Sequence, residues 1–517
     1  MTERTVDVLI FSDNRVRMTL ADGRTEAEGK AAASGILPEM IARLDRFVHR
    51  RPEDCEQADL HLIGRLLYET LFAGDATYVV TLPGGEQTRS PARTTLGALL
   101  LEELAKADSD RPFRIRLTFP RGPGEASAAS PGARSTASEL AHLPWELLCL
   151  PIGGGWVFAA GQQKELVLTR HLSRAAHPAV VPHGRERLRL WVGWAQPGNL
   201  GQLSGIESLA RDIEARLGGG QRVELRTFPD LTHEQLRAAL EAIDSDPSLR
   251  PDIIHLIAHG RYFKGKGEIA LHLGKAEEQR LSSEASARGR AADPARLVDW
   301  VSAETLRDWL DKRQPTLFFL HSCNTGRAVA EDGSEPTVKD IRGAAERIAD
   351  AGVPFVVAMQ YAIANHDATV FAHEFYSQLG KGASVDEAVA AGRRRLGVEV
   401  PTWGHRRFAT PVIYMGAEPG PLMAIERDKD GRGGGERRLA RCPHTPCSRM
   451  IDLDEKFCSC DENRPFLVCP FGHASRPGVP ECQDRQCAHR FHVPATTPAP
   501  SSLPPEGGSG AGTGLVA

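Results

Sequence analysis

Ile253-Ile254-His255-Leu256-Ile257-Ala258-His259-Gly260 and Leu317-Phe318-Phe319-Leu320-His321-Ser322-Cys323-Asn324-Thr325-Gly326 decide how this chain folds. Each is an apolar run, rich in branched and aromatic residues, and reads as a buried β-strand. Each ends in a reactive side chain with glycine close behind. The first delivers a histidine, from the loop after its strand; the second delivers a cysteine. Two parallel strands joined by a long crossover bring such ends to one edge of a sheet. Open α/β sheets place their chemistry there, beyond the carboxyl ends of the strands. A cysteine and a histidine meeting at that edge can form a thiol nucleophile with its general base.

Outward from these strands the pattern is regular. Residues 188–194 and 223–228 read as strands. Residues 205–217 read as a helix with Ile206, Leu209, Ile213 and Leu217 on one face. Thr232 is placed to N-cap the next helix, and Gln235 three residues on completes a capping box. After the cysteine strand come a helix at 338–350, a strand at 355–359, helices at 367–379 and 385–396, and a last strand at 411–415. Strands alternating with amphipathic helices imply an α/β fold, a mostly parallel sheet flanked by helices on both faces. The small, polar stretch 275–296 reads as a mobile insertion between the two decisive strands. Residues 1–135 say least: a hairpin at 6–11 and 16–20, helices at 36–48, 60–72 and 94–107, a strand at 113–119, and a Gly/Ala/Ser/Pro loop at 121–138. No catalytic constellation stands out in them.

Several strings together carry a family resemblance. Leu143-Pro144-Trp145-Glu146-Leu147-Leu148 comes first, then the strand ending His259-Gly260, then Ser322-Cys323-Asn324-Thr325-Gly326. Ala351-Gly352-Val353-Pro354-Phe355-Val356-Val357-Ala358-Met359-Gln360 follows, then Phe371, Phe375 and Tyr376, Glu387 and Ala388, Trp403-Gly404, and Pro411-Val412-Ile413-Tyr414-Met415-Gly416. In this order they resemble the CHAT domain, a bacterial relative of caspases and separase, over roughly residues 140–417. The resemblance implies a caspase-like fold and a cysteine endopeptidase with Cys323 as nucleophile and His259 as base. It also implies that the N–H groups of Gly260 and Cys323 stabilise the oxyanion, which acyl-transfer chemistry requires of some donor pair. Glycine suits that place because a backbone without Cβ can approach a substrate carbonyl closely. Taken singly, a strand-end cysteine is more often a small buried hydrophobe and a strand-end histidine more often structural; the pair in family order reverses the odds. His255, inside the strand and on the same side as His259, reads as a packed histidine. Clan relatives that cut after basic residues can carry an aspartate two positions before the cysteine, where this chain has His321. Asp367 and Glu374 are the other candidate pocket acids, though such residues more often cap helices or face solvent, so no basic specificity is assigned.

Composition sets the remaining bounds. A chain of 517 residues exceeds one core and suggests two to four domains. Hydrophobic residues at 41% and charged residues at 25% are ordinary for a globular protein. A net charge of −4 gives no whole-protein case for nucleic-acid binding. No apolar run reaches the length of a membrane span, and residues 1–16 lack the apolar stretch of a signal peptide, so a cytoplasmic location is expected.

Of the ten cysteines, seven lie between Cys442 and Cys487, interleaved with histidines. Such a cluster reads as metal ligands rather than disulfides in a reducing compartment. Cys442, Cys447, Cys458 and Cys460 form one set of four; Cys469, His473, Cys482 and Cys487 form a second. Each set is two close pairs across a short loop, the arrangement a zinc ribbon needs for tetrahedral ligation. The spacings depart from C-x2-C, and His444, His489 and His492 are alternative ligands. About 50 residues hold too little core to fold unaided, so two structural zinc ions are expected.

The resulting division is an N-terminal α+β module at 1–139, a caspase-like protease domain at 140–417, a linker at 418–441, two zinc ribbons at 442–492 and a disordered tail at 493–517. Because clan relatives often carry an inactive caspase-like copy upstream, the resemblance suggests one at 1–139. The expected function is cleavage of a specific protein partner by a regulated effector of bacterial defence or programmed death, with the ribbons binding an activating or recognition partner. The alternatives are a catalytically silent caspase-like scaffold and a zinc-ribbon protein that binds a partner or, less favoured, nucleic acid.

Overall fold

The computed structural model describes residues 4–11, 13–31, 40–41, 43–45, 56–81, 87–106, 112–120, 140–141, 143–162, 166–173, 185–197, 200, 205–263, 266–289, 296–323, 345–361, 363–398, 405–423, 439–441, 450–452, 467–468 and 474–475. The chain divides into two compact units, Met1–Gly434 and Gly435–Ala517.

The first unit opens with β1 (Thr5–Ile10), β2 (Arg15–Thr19), β3 (Glu26–Lys30), α1 (Gln57–Phe72), β4 (Asp75–Thr81), β5 (Gln87–Thr95), α2 (Leu96–Ala105) and β6 (Phe113–Pro120). In β1 every second residue is buried, namely Val6, Val8 and Ile10, the signature of a strand with one face on a core. A single 3-10 turn at Trp145–Leu147 leads into a hairpin of β7 (Cys149–Ile152) and β8 (Gly155–Phe158), then β9 (Leu166–Ser173).

The second half of this unit is the alternating stretch. It holds β10 (Leu188–Trp194), α3 (Ile206–Arg216), β11 (Val223–Phe228), α4 (His233–Ser245), β12 (Ile253–Phe263), β13 (Lys266–His272), α5 (Lys275–Ala287), β14 (Val298–Ser302), α6 (Ala303–Leu310) and β15 (Leu317–Cys323). A helical turn at 345–350 precedes β16 (Phe355–Met359), α7 (Asn365–Gly380), α8 (Val385–Val398) and β17 (Pro411–Met415). The capping box expected at Thr232 is present: its side chain accepts from the Gln235 backbone N–H, and Gln235 returns a bond to the Thr232 N–H. The insertion expected to be mobile is in part helical, as α5, whose residues include a single buried one, Leu281. Its order comes from the helix propensity of Lys, Ala, Glu, Gln and Arg and from Arg280 bridging Glu277 and Glu284 along one face.

One sheet runs through both halves, in the order β11-β10-β12-β15-β16-β17-β9-β6-β1-β2-β3-β4-β5. Strands β11, β10, β12, β15 and β16 are parallel, and β17 returns antiparallel. Strand β17 pairs parallel with β9, which continues parallel into β6 and β1. The strands of the first 120 residues thus extend the sheet that carries the two decisive strands. Hydrophobic cores lie on both faces of the sheet. On one, Ile253, Ile257, Leu317, Phe319, Phe355 and Val357 pack with α3, α7 and α8. On the other, Ile254, Leu256, Phe318, Leu320, Val356 and Ala358 pack with α4, α6 and residues 345–349. This double burial is why β12, β15 and β16 read as continuous apolar runs rather than as alternating ones.

Of the second unit the structure describes two small antiparallel pairs, β18 (Leu439–Arg441) with β19 (Met450–Asp452) and β20 (Leu467–Val468) with β21 (Ala474–Ser475).

Candidate active site

His259 and Cys323 are register partners. They form the last rung of seven that pair β12 with the parallel strand β15, from Ile253 opposite Leu317 upward. Adjacent strands lie about 4.8 Å apart, and in-register residues of parallel strands share a face. His259 and Cys323 therefore occupy neighbouring positions at the carboxyl edge, on the face covered by α3 and α7. The sequence placed His259 in the loop after its strand; the structure keeps it in the strand. The cause is β13, which takes over as antiparallel partner at Gly260, opposite Ile269, so that β12 runs on to Phe263. Gly260 sits where the strand changes partner, next to the histidine.

Below the dyad positions on the same face lie two more histidines. His321 stands opposite Ile257, and His255 opposite Phe319. His255 is fully buried, stacked on Phe319 at 4.3 Å between centroids, with its Nδ1 3.1 Å from the Tyr376 hydroxyl of α7. That is the packed histidine expected from its place inside the strand. His321 is 3% exposed and stacks on His255 at 5.6 Å. Burial pushes the His255 imidazole well below its ordinary value, with His321 adding to the effect. Burial alone lowers His321 to about 4.

Both histidines are thus neutral at physiological pH, which gives a prediction. An unfolded histidine titrates near 6.5. Between about 6.5 and about 4 the unfolded chain holds a proton that folded His321 refuses, so stability is full above pH 6.5 and falls as pH drops. One such group contributes a slope of about 1.4 kcal/mol per pH unit. Urea midpoints measured across this window should fall more gently for His321→Gln than for the wild type; parallel curves would remove His321 from the titration.

Farther along the same sheet lies a buried ionic cluster. Glu146, from the Leu-Pro-Trp-Glu turn, accepts from Arg170 Nε of β9 at 2.9 Å and from Gln360 Nε2, just past β16, at 2.9 Å. Arg393 of α8 approaches it at 3.6 Å. Arg170 also donates to the Ala141 and Leu143 carbonyls, and Arg393 to those of Pro411 and Leu168. All four side chains are buried. Burial opposes the charge on Arg170, but Glu146, Tyr414 and Glu346 together outweigh it and raise its pKa. Arg393, farther from the carboxylate, is lowered by burial to about 10. A second tie links Arg114 of β6 to Asp386 and Glu387 of α8, at 2.7 Å each. The sequence offered Glu146 and Gln360 only as members of family strings. Arg170 and Arg393 gave no signal, because their pairing is long-range.

The two candidate pocket acids behave differently. Asp367 is buried and paired with Arg407 at 3.2 Å, and Glu374 accepts a bond from Gln378 one turn along α7. Past His259, Arg261 pairs with Glu268 at 2.6 Å and lies 3.9 Å over the Trp300 ring. The eight proposed metal ligands, Cys442, Cys447, Cys458, Cys460, Cys469, His473, Cys482 and Cys487, lie outside the described residues. Among the described residues no group of three or more His, Cys, Asp or Glu could hold a metal, and no helix is long and apolar enough to cross a membrane.

Comparison with known proteins gives the same region. The CHAT domain family matches residues 134–399. No match was found among the curated proteins. Among solved structures, the chain is similar to the Saccharomyces cerevisiae separase in its securin complex, at 12% identity and TM-score 0.40, over 81% of this chain and 30% of that one. The chain therefore spans under a third of that separase's length. It is also similar to the Arg-specific cysteine proteinase gingipain R of Porphyromonas gingivalis, at 9% identity and TM-score 0.34, over 86% of this chain and 82% of that one. A third is caspase-1 from Spodoptera frugiperda, at 12% identity and TM-score 0.28, over 50% and 97%. With the family match running over more than half its length, from residue 134 to residue 399, this chain belongs to the CHAT-domain family.

Proposed function

We propose that this protein is a cysteine endopeptidase in which Cys323 attacks a peptide carbonyl and His259 serves as general base. The observation that carries this is the shared last rung: His259 opposite Cys323 on adjacent parallel strands, at the carboxyl edge of the sheet. A free thiol with a pKa of about 8.5 is only slightly ionised at neutral pH, so the imidazole must take its proton and later return it to the leaving amine. The N–H groups of Gly260 and Cys323 are the donors for the tetrahedral oxyanion. The substrate is a specific protein partner, and the setting a regulated cytoplasmic effector of bacterial defence or programmed death. Proteome-wide mapping of new N-termini, wild type against Cys323→Ala, tests this. A short set of termini dependent on the thiol is the expected result, and none at all would favour a silent scaffold.

The C-terminal module binds two zinc ions, through Cys442, Cys447, Cys458 and Cys460 and through Cys469, His473, Cys482 and Cys487. Thiolate and imidazole donors in sets of four are what structural zinc takes, and such a set leaves no open position for catalysis. The module recognises an activating or target partner and takes no part in the chemistry. Elemental analysis of reduced, full-length protein should give two zinc ions per chain; one or none would refute the assignment. Removing the metal with a chelator should leave Cys323 open to a small thiol reagent.

A further inference from the structure

We infer that the outer edge of β11 pairs antiparallel with the same edge of a second copy, giving a homodimer with one continuous sheet. The two ends of the sheet, β11 and β5, are built differently. An edge strand exposes unpaired backbone groups, and folds blunt such edges with proline, bulges or charge. Strand β5 is blunted in its backbone: Pro91 lacks an N–H, Arg93 sits at φ 53°, and the register with β4 shifts between Asp75 and Thr77. Strand β11 has no proline and keeps unbroken register with β10 from Val223 to Phe228. Among the described residues no strand lies on its other side. Glu224, Arg226 and Thr227 are exposed there. The two charges are of opposite sign and spaced so as to match another copy rather than repel it.

Backbone direction fixes which groups face outward. The Leu188 N–H bonds the Arg222 carbonyl at 2.9 Å, so Arg222, Glu224 and Arg226 point their backbone groups at β10. Val223, Leu225 and Thr227 point theirs away, and the Val223 N–H turns back to the Gly219 carbonyl at 2.9 Å. With a two-fold axis at Leu225, this residue exchanges both backbone bonds with its own copy. Each Thr227 N–H then meets the Val223 carbonyl of the other chain.

The same axis sets Glu224 opposite Arg226 of the copy, in the non-hydrogen-bonded positions where side chains approach closest. Arg226 is held ready for a carboxylate. It lies over the Trp191 ring at 5.2 Å and the Phe228 ring at 4.7 Å, and among the described residues no carboxylate pairs with it. Glu224 lies 3.4 Å from Arg189, so the row across the interface alternates in sign: Arg189, Glu224, then Arg226 of the copy. Moving the axis by one residue sets Glu224 against Glu224 or Arg226 against Arg226, which like-charge repulsion disfavours. On the other face, half-buried Leu225 covers its own copy. Strand β12 runs parallel to β11, and in the copy both run the opposite way. The two rungs of His259 and Cys323 thus lie at opposite edges of the joined sheet, each clear of the interface.

The test is sedimentation velocity of the full-length protein from about 1 to about 200 μM, the span over which a small interface associates. The mass should rise from one chain toward two. Glu224→Arg alone and Arg226→Glu alone each set like charges opposite, and each should weaken association at least about tenfold. An equimolar mixture of these two variants should associate again, because each chain then meets its complement. The chain that carries both changes should do the same. Thr227→Pro removes the outward N–H and should also weaken association. Circular dichroism checks that each variant is folded. A wild type that stays a single chain at every concentration would overturn the inference. So would single charge variants that dimerise like the wild type, or a mixture of the two that stays apart. If neither charge variant folds, Thr227→Pro decides, and undiminished association would overturn the inference.

Discussion

Cys323→Ala is expected to abolish peptide-bond cleavage, a loss on the order of 10^4-fold or more, while leaving the fold intact. The change removes one sulfur from the final position of β15 and keeps the strand's backbone hydrogen bonds, which fix its place between β12 and β16. His259→Ala should lose about 10^2- to 10^4-fold by the logic of general-base catalysis, with the thiol still alkylated by iodoacetamide. His255→Ala makes the contrast. It removes the stack on Phe319 and the Tyr376 contact, and should cost about 3 kcal/mol of stability with turnover retained at low temperature. Single-turnover kinetics on the three variants, each checked by circular dichroism, settles the order. Retained cleavage by Cys323→Ala would sink the nucleophile assignment. Loss of turnover in a well-folded His255→Ala would mean that the other histidine is the base.

The parts of this molecule that the sequence revealed are those governed by local rules. Strands β10, β16 and β17 read to the residue because they are short, largely apolar runs, and β11 because Val223 and Leu225 alternate with Glu224 and Arg226. The Thr232 and Gln235 box marked the start of α4 because capping depends on side chains three positions apart. Helix α5 was missed because a nearly all-polar helix has no periodic apolar face to detect. The overrun of β12 past His259 was missed for a different reason: a strand's length depends on its partners, and its partner here is β13, which follows it in sequence. The rung that sets His259 opposite Cys323 was legible because both residues end apolar runs that parallel pairing brings into register. Its surroundings were less so. That His321 and His255 stack beneath it follows from strand parity, but how α3 and α7 lie against each other does not. That depends on the close approach of Gly380 to Arg216 at the end of α3, which no sequence pattern announces.

The ionic cluster is the deepest case of what sequence alone conceals, and it leads to a second large expected effect. Glu146 is the carboxylate at its centre, with two guanidinium groups around it, and the charge of Glu346 also favours the cation on Arg170. Glu146→Gln keeps the shape and one acceptor oxygen but leaves Arg170 and Arg393 as neighbouring buried cations. Breaking a buried pair from one side costs about 3–5 kcal/mol, because the charge left behind is neither hydrated nor balanced. Arg170 cannot shed its proton to escape this, since a guanidinium stays charged in proteins. The strain falls on β9, on the start of the α7 connection at Gln360 and on α8, so it spans both halves of the sheet. Urea unfolding should show this loss for Glu146→Gln. The double variant Glu146→Gln with Arg170→Gln should fall short of the summed single losses by at least about 1 kcal/mol, since it removes the orphaned charge as well. Strict additivity would mean that Glu146 contributes through packing alone. With coupling present, Cys323 labelling in Glu146→Gln should slow as well, because Gln360 follows directly from β16, the strand that flanks the cysteine strand. The Trp-Glu string near residue 146 is then explained by charge, as the buried anion that lets two arginines join the N-terminal strands to the strands of the dyad.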